Sequence, residues 1–332
     1  MFKFDISKIN KFVVHHVGNK GKGDGIIFSE NQEDISNISS QIISLFQKSF
    51  VSEDKFNFSF EPNVDLNPVY NFVKKIFESS EEFHNQTMNI SRYLYEQSTH
   101  ASIKSGELCF TYFENSEYNG SKVNALLIFK SENKENILDV RNSEKGLFLE
   151  TVSGISLSKI DKGCLILDLE MEKGYLIYLV NNLINNNVKY WNDDFLHILP
   201  LSDEYSLTKS YLSIVKETVK EICVDDKIEE INSLSSVINY FENNNVFKKN
   251  DFLEHLKNEE VKDSFLEKEK SSFSHGVDEF NISEKALKVH KKALKRIIKL
   301  DKNFEIIIKS DDVLIEKDSD EKGMFYKVYY KK

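Results

Sequence analysis

The chain has 332 residues, 40 % of them hydrophobic and 30 % charged, and a net charge of −10. This composition is that of a globular protein with enough apolar material for a large core. It excludes a surface that is basic all round, and it leaves room for a local basic patch. At about 100–200 residues per domain, the length suggests two domains. The longest apolar run, residues 175–180, is six residues. A membrane-spanning helix needs about 20, and residues 1–16 contain no apolar stretch of signal-peptide length. Cys109, Cys164 and Cys223 are spaced by 55 and 59 residues. That spacing matches no zinc or disulfide pattern and points to a reducing compartment.

In chain order, FVVHHV (12–17) and GIIF (25–28) read as short strands around the glycine loop NKGKGDG. Apolar residues recur at helical spacing over 35–50. A second helix starts at Asn67-Pro68, where Asn caps free N–H groups and Pro suits the first helical position. A third covers roughly 86–98. GELCFTYF (106–113) and KVNALLIFK (122–130) flank Asn119-Gly120, a strong hairpin signal. GLFLETV (146–152), GCLILDLE (163–170) and GYLIYLV (174–180) extend this into a meandering antiparallel sheet over 106–180. Helices are predicted over 206–223, 231–245, 250–258 and 283–299, and strands over 303–309, 312–317 and 323–330. The fold class is α+β. Residues 1–200 form a mixed region with an antiparallel sheet, and residues 201–332 a mostly helical region ending in short β-strands.

Charge is unevenly distributed. Residues 224–280 carry 14 acids and 7 bases, whereas residues 281–302 carry 8 bases and 2 acids. Read as one helix at 100° per residue, 282–302 begins with Ser283 as N-cap. It places Lys285, Lys288, Lys291, Lys292, Lys295, Arg296 and Lys299 on one side and Ala286, Ala293, Leu294, Ile297 and Ile298 on the other. Such a face is either solvated surface or a phosphate-contacting surface. Lys-to-phosphate contacts carry no base information, so binding would tolerate sequence. In the glycine loop, Lys20, Lys22 and backbone N–H groups offer a second place for an anion, although the spacing is not that of a Walker loop.

Catalytic signals are weak. Asp193 and Asp194 are sequence neighbours and would face apart on a regular element. With Asp168 and Glu170 they form the nearest approach to a metal-dependent nuclease site. His15 and His16 lack neighbouring ligands at metal spacing. Cys109 and Cys164 sit in apolar runs that read as core. No metal, no cofactor and no enzyme activity is expected.

The stretches FVVHHVGNKGKGDGIIFS (12–29), YLYEQSTH (93–100), GELCFTYF (106–113), IFKSENK (128–134) and YWNDDFL (190–196) together resemble the bacterial nucleoid-associated protein family. The resemblance implies an α+β fold, a cytoplasmic location at the nucleoid, binding of double-stranded DNA and a possible type II topoisomerase partner. It assigns no residue-level DNA site. The candidate contacts Lys288, Lys291, Lys292, Lys295, Arg296, Lys299, Lys20 and Lys22 rest on the charge pattern alone. A homodimer would double the phosphate contacts. The alternatives are an adaptor for a topoisomerase or phage-defence partner, in which the acidic segment meets a basic protein, and, less favoured, the nuclease.

Overall fold

The computed structural model describes the chain apart from residues 1–3, 6–7, 145, 181–182, 184–188, 225, 274–276, 292–295, 301, 309–313, 322 and 330–332, with 296, 299 and 314 described by backbone alone. The chain divides into two units, Met1–Leu201 and Ser202–Lys332.

The first unit runs β1 (Phe4–Asp5), β2 (Lys11–Val17), β3 (Ile26–Phe28), α1 (Ser39–Ser49), β4 (Lys55–Phe58), α2 (Pro68–Glu78), α3 (Phe83–Gln97), β5 (Gly106–Tyr118), β6 (Ser121–Ser131), β7 (Lys134–Ser143), β8 (Gly146–Ile155), β9 (Lys162–Leu167), β10 (Leu176–Leu179) and β11 (Ile198–Pro200). Nine of these strands form one sheet in the order β11-β4-β10-β9-β6-β5-β2-β3, with β1 also on β5. Every pairing is antiparallel. The predicted hairpin is β5–β6. Its turn places Asn119 at φ 50° and Gly120 at φ 82°, the left-handed pair that an Asn-Gly turn supplies.

The central strands are apolar without alternation because the sheet is covered on both faces. Residues 108–113 of β5, 125–128 of β6 and 164–167 of β9 are buried throughout. Successive residues of a strand point to opposite faces, and Tyr112 and Phe113 show which helices lie where. Phe46 of α1 reaches Phe113, with ring centroids 6.2 Å apart. Phe83 of α3 and Phe77 of α2 reach Tyr112, at 6.2 and 6.3 Å. Helix α1 therefore covers one face and α2–α3 the other. The start of α2 is as predicted: the Asn67 side chain accepts from the Tyr70 N–H and donates to the Leu196 carbonyl at 2.9 Å.

One predicted strand is elsewhere. GLFLETV belongs to β8, which pairs with β7 alone in a two-stranded ribbon inserted between β6 and β9. The large sheet passes directly from β6 to β9.

The second unit comprises α4 (Glu204–Ile222), α5 (Lys227–Asn243), β12 (Val246–Lys248), α6 (Lys249–His255), α7 (Glu259–Ser272), β13 (Glu279–Asn281), α8 (Glu284–His290), β14 (Arg296–Lys299), β15 (Glu305–Ile308), β16 (Leu314–Asp320) and β17 (Gly323–Tyr329). Its core centres on Tyr211. That ring lies 4.6–5.9 Å from those of Phe247, Phe265, Phe273 and Phe280, and its hydroxyl donates to Glu269. Helix α7 and the β12–β13 pair have no counterpart among the predicted elements.

The helix predicted over 283–299 is corrected. Helix α8 stops at His290, and residues 296–299 form a strand paired with β15. Ile297 and Ile298 are β-branched and lose side-chain freedom in a helix. The strand 305–308 also needs a partner, and the pairing buries Ile298 and Ile308 against Ile231 and Ile315. Burial in that cluster outweighs the helix propensity of the Lys- and Ala-rich run. The terminal strands pair among themselves, β14 with β15 and β16 with β17, and none joins the large sheet. Ile298→Ala is expected to lower the stability of this unit by about 2–5 kcal/mol, read as a lower urea midpoint.

Candidate nucleic-acid interface

The cations predicted to share a helical arc are distributed over several elements. Ser283 caps α8 as expected, accepting from the Ala286 N–H. Lys288 is 80 % exposed and lies 3.5 Å from Glu284. Lys291, at the end of α8, pairs with Glu242. With Phe241, Ile282 and Leu287 these residues line an open groove of about 460 Å³. Arg296 and Lys299 occupy the two ends of β14, in register with Ile308 and Glu305. Lys292 and Lys295 lie outside the described residues.

Lys20 and Lys22 belong to the other unit, on the loop between β2 and β3. This loop is a docked, internally bonded structure. Asn19 is fully buried. Its side chain donates to the carbonyls of His100 and Ile103, at 2.8 and 2.7 Å, and accepts from the Lys22 N–H at 3.1 Å. The Lys20 N–H donates to the Ser98 carbonyl, and those of Gly18, Gly23 and Asp24 donate within the loop. Gly21 is required by proximity, since a Cβ there would stand 2.2 Å from the Thr99 carbonyl oxygen. Lys20 pairs with Glu96. The backbone donors considered for an anion are thus committed inside the protein, and only the two side chains remain for a ligand. Lys22 is exposed. The stretches HHVGNKGKGDG and YLYEQSTH, read separately in the sequence, meet here as one unit.

A second meeting joins IFKSENK to YWNDDFL. Lys130 and Lys162 are register partners on β6 and β9. Lys130 is fully buried, donates to the Lys104 carbonyl at 2.6 Å and lies 3.3 Å from Glu132. Lys162 also pairs with Glu132, and the Tyr190 hydroxyl donates to Glu132 at 2.8 Å. Burial lowers the Lys130 ammonium pKa, and Glu132 opposes that shift. Burial and the Glu132 charge push the Tyr190 phenol upward. The sequence signal for this cluster was the Lys–x–Glu of 130–132, which reads as ordinary strand alternation until β9 is placed beside it.

These converging stretches agree with the comparison to known families. The family model NA37, nucleoid-associated protein YejK, matches residues 13–326. The chain belongs to this family. No curated protein and no solved structure matches it. Membership makes it a nucleoid-associated protein by family. No helix among the described residues is long and apolar enough to cross a membrane.

The carboxylates weighed for metal chemistry are placed as follows. Asp193 and Asp194 are exposed on a π-helical turn, Tyr190–Leu196, whose Trp191 and Phe195 are buried. Asp168 follows β9, where burial raises its carboxyl pKa against a hydrogen bond from Asn124. Glu170 sits in a left-handed turn at φ 55°. Among the described residues, no three His, Cys, Asp or Glu side chains gather in a group that could hold a metal ion. Tyr93 donates toward or accepts from His197 Nε2 at 2.9 Å, and His100 bonds Ser102. All three cysteines are free and buried.

His15 is buried between strand and helix. The Ser29 N–H donates to its Nδ1 at 3.2 Å, which leaves the ring proton on Nε2, facing Thr87 Oγ1 at 3.1 Å. Burial, His84 and Arg92 lower its pKa to about 4. The unfolded side chain titrates near 6.5. Between these values the unfolded state binds a proton that the native state does not, so stability falls as pH drops from about 6.5 to 4. His15→Gln is expected to flatten that limb of a stability–pH curve measured by urea unfolding. Glu132→Gln leaves two buried ammonium groups without their anion and is expected to cost about 3–5 kcal/mol, read in the same assay.

Proposed function

We propose that this chain is a non-enzymatic, sequence-tolerant binder of double-stranded DNA, and that residues 281–302 make its principal phosphate contacts. The observation that carries this reading is the concentration of 8 bases against 2 acids in that segment, within a chain of net charge −10 that belongs to a nucleoid-associated family. The segment's cations are spread over α8 and the β14 hairpin, so they would follow a backbone by position along the segment and not as one helical face. The Lys288–Glu284 pair is exposed on both sides. Such pairs are worth little, so Lys288 can exchange Glu284 for a phosphate at small cost. Lys22 is a secondary contact on the same reasoning, and Lys20 would first have to leave Glu96.

Fluorescence anisotropy of a random-sequence duplex, titrated across roughly 50–300 mM salt, tests this. Three to five phosphate contacts give a log–log slope of roughly −3 to −5. Reversing Lys292, Lys295 and Arg296 to Glu is expected to weaken binding at least tenfold and to flatten the slope. Undiminished binding by that variant removes the site assignment. Cleavage of the duplex on addition of Mg²⁺ or Mn²⁺ overturns the non-enzymatic reading.

A further inference from the structure

The β7–β8 ribbon is two strands of ten residues in perfect register, from Lys134↔Ile155 to Ser143↔Gly146. It pairs with no other described strand. At about 3.4 Å per residue it is roughly 33 Å long. An isolated two-stranded ribbon is marginal in water unless something covers it.

Its two faces differ. On one, the paired positions carry Asp139 opposite Glu150, with Arg141 bonded to both, at 2.9 and 3.3 Å. On the other, Leu138, Val140, Leu147 and Leu149 stand together, exposed by 68, 60, 77 and 64 %. They are flanked by Asn136, Asn142, Thr151 and Ser153, so from 136 to 153 this second face bears no charge. It offers nothing to a phosphate.

We infer that the leucine face is the dimer interface of this protein, and that it packs against the same face of a second copy across a two-fold axis. A two-fold contact requires a patch complementary to itself. An uncharged apolar face meets that requirement with no like charges opposed. Elsewhere, two copies of a chain with net charge −10 meet against their own repulsion. The size also fits. A standard interface engages roughly 20–30 residues per side, and the ribbon's two strands supply ten each. The dimer extends the proposed DNA reading by presenting two basic segments, and it does not depend on it.

Sedimentation of the full chain without DNA, across roughly 1–100 µM, tests the inference. The expected result is a shift from 38.7 kDa toward twice that mass with rising concentration. Leu138→Glu with Leu149→Glu should hold the chain at the monomer mass with an unchanged far-UV spectrum, because both positions are exposed. The native cysteines are buried, so Leu149→Cys introduces an accessible thiol. Mild oxidation should then trap a covalent dimer, provided that the ribbons meet. A wild-type chain that stays monomeric throughout leaves the face to a different protein and overturns the inference. So does a double-Glu variant that dimerises as well as wild type, or an L149C chain that forms no covalent dimer.

Discussion

The pairing of β5 with β6 is the constraint on which the first unit rests. One left-handed Asn-Gly turn brings together two strands of 13 and 11 residues, and their paired interiors are buried on both faces. The remaining strands are added outward from this hairpin, β2 and β3 on one side and β9, β10, β4 and β11 on the other. The helices are placed by the same strands. Tyr112 and Phe113 are adjacent and point to opposite faces, and each recruits aromatic rings from a different helix. Pairs of this kind stabilise beyond the area they bury.

Around that sheet, the residues that give the family its recognisable look are largely occupied with holding loops. Asn19 ties the glycine loop to the chain after α3, and Glu132 ties two lysines and a tyrosine together beneath β6 and β9. Buried polar groups are tolerated only when each finds a partner, which explains why such motifs look chemical in a sequence and are structural in the fold. The surface available for a polyanion then reduces to side chains outside these networks, and the basic segment of the second unit is the densest source of them.

Much of the architecture was legible from local chemistry. The α2 cap at Asn67-Pro68, the Asn119-Gly120 hairpin, the apolar runs of β9 and β10 and the core placement of Cys109 and Cys164 all follow from residue type and spacing. The ribbon and the end of α8 did not. GLFLETV is as β-prone as a buried strand, and nothing within it says that its only neighbour is β7. The run 283–299 satisfies a helical period as well as a real helix does. Of the candidate contacts, Lys288 and Lys291 lie where a helix was expected, Arg296 and Lys299 lie on a strand, and Lys20 is held by Glu96.

The sequence by itself determined the class of fold, the turn and cap positions, the charge reversal near residue 280 and the family, because each depends on residues close together in the chain. Tertiary structure decided which glycine-loop donors were already in use, which of two equally apolar hairpins entered the sheet, and where the basic helix ended. Those outcomes depend on partners 60 to 100 residues away, as with Asn19 and Ile103, or on a competing burial site, as with Ile298 and Ile231. Local propensity differs by tenths of a kcal/mol per residue, and burying one isoleucine is worth about 1.5–3 kcal/mol, so the distant contact decides.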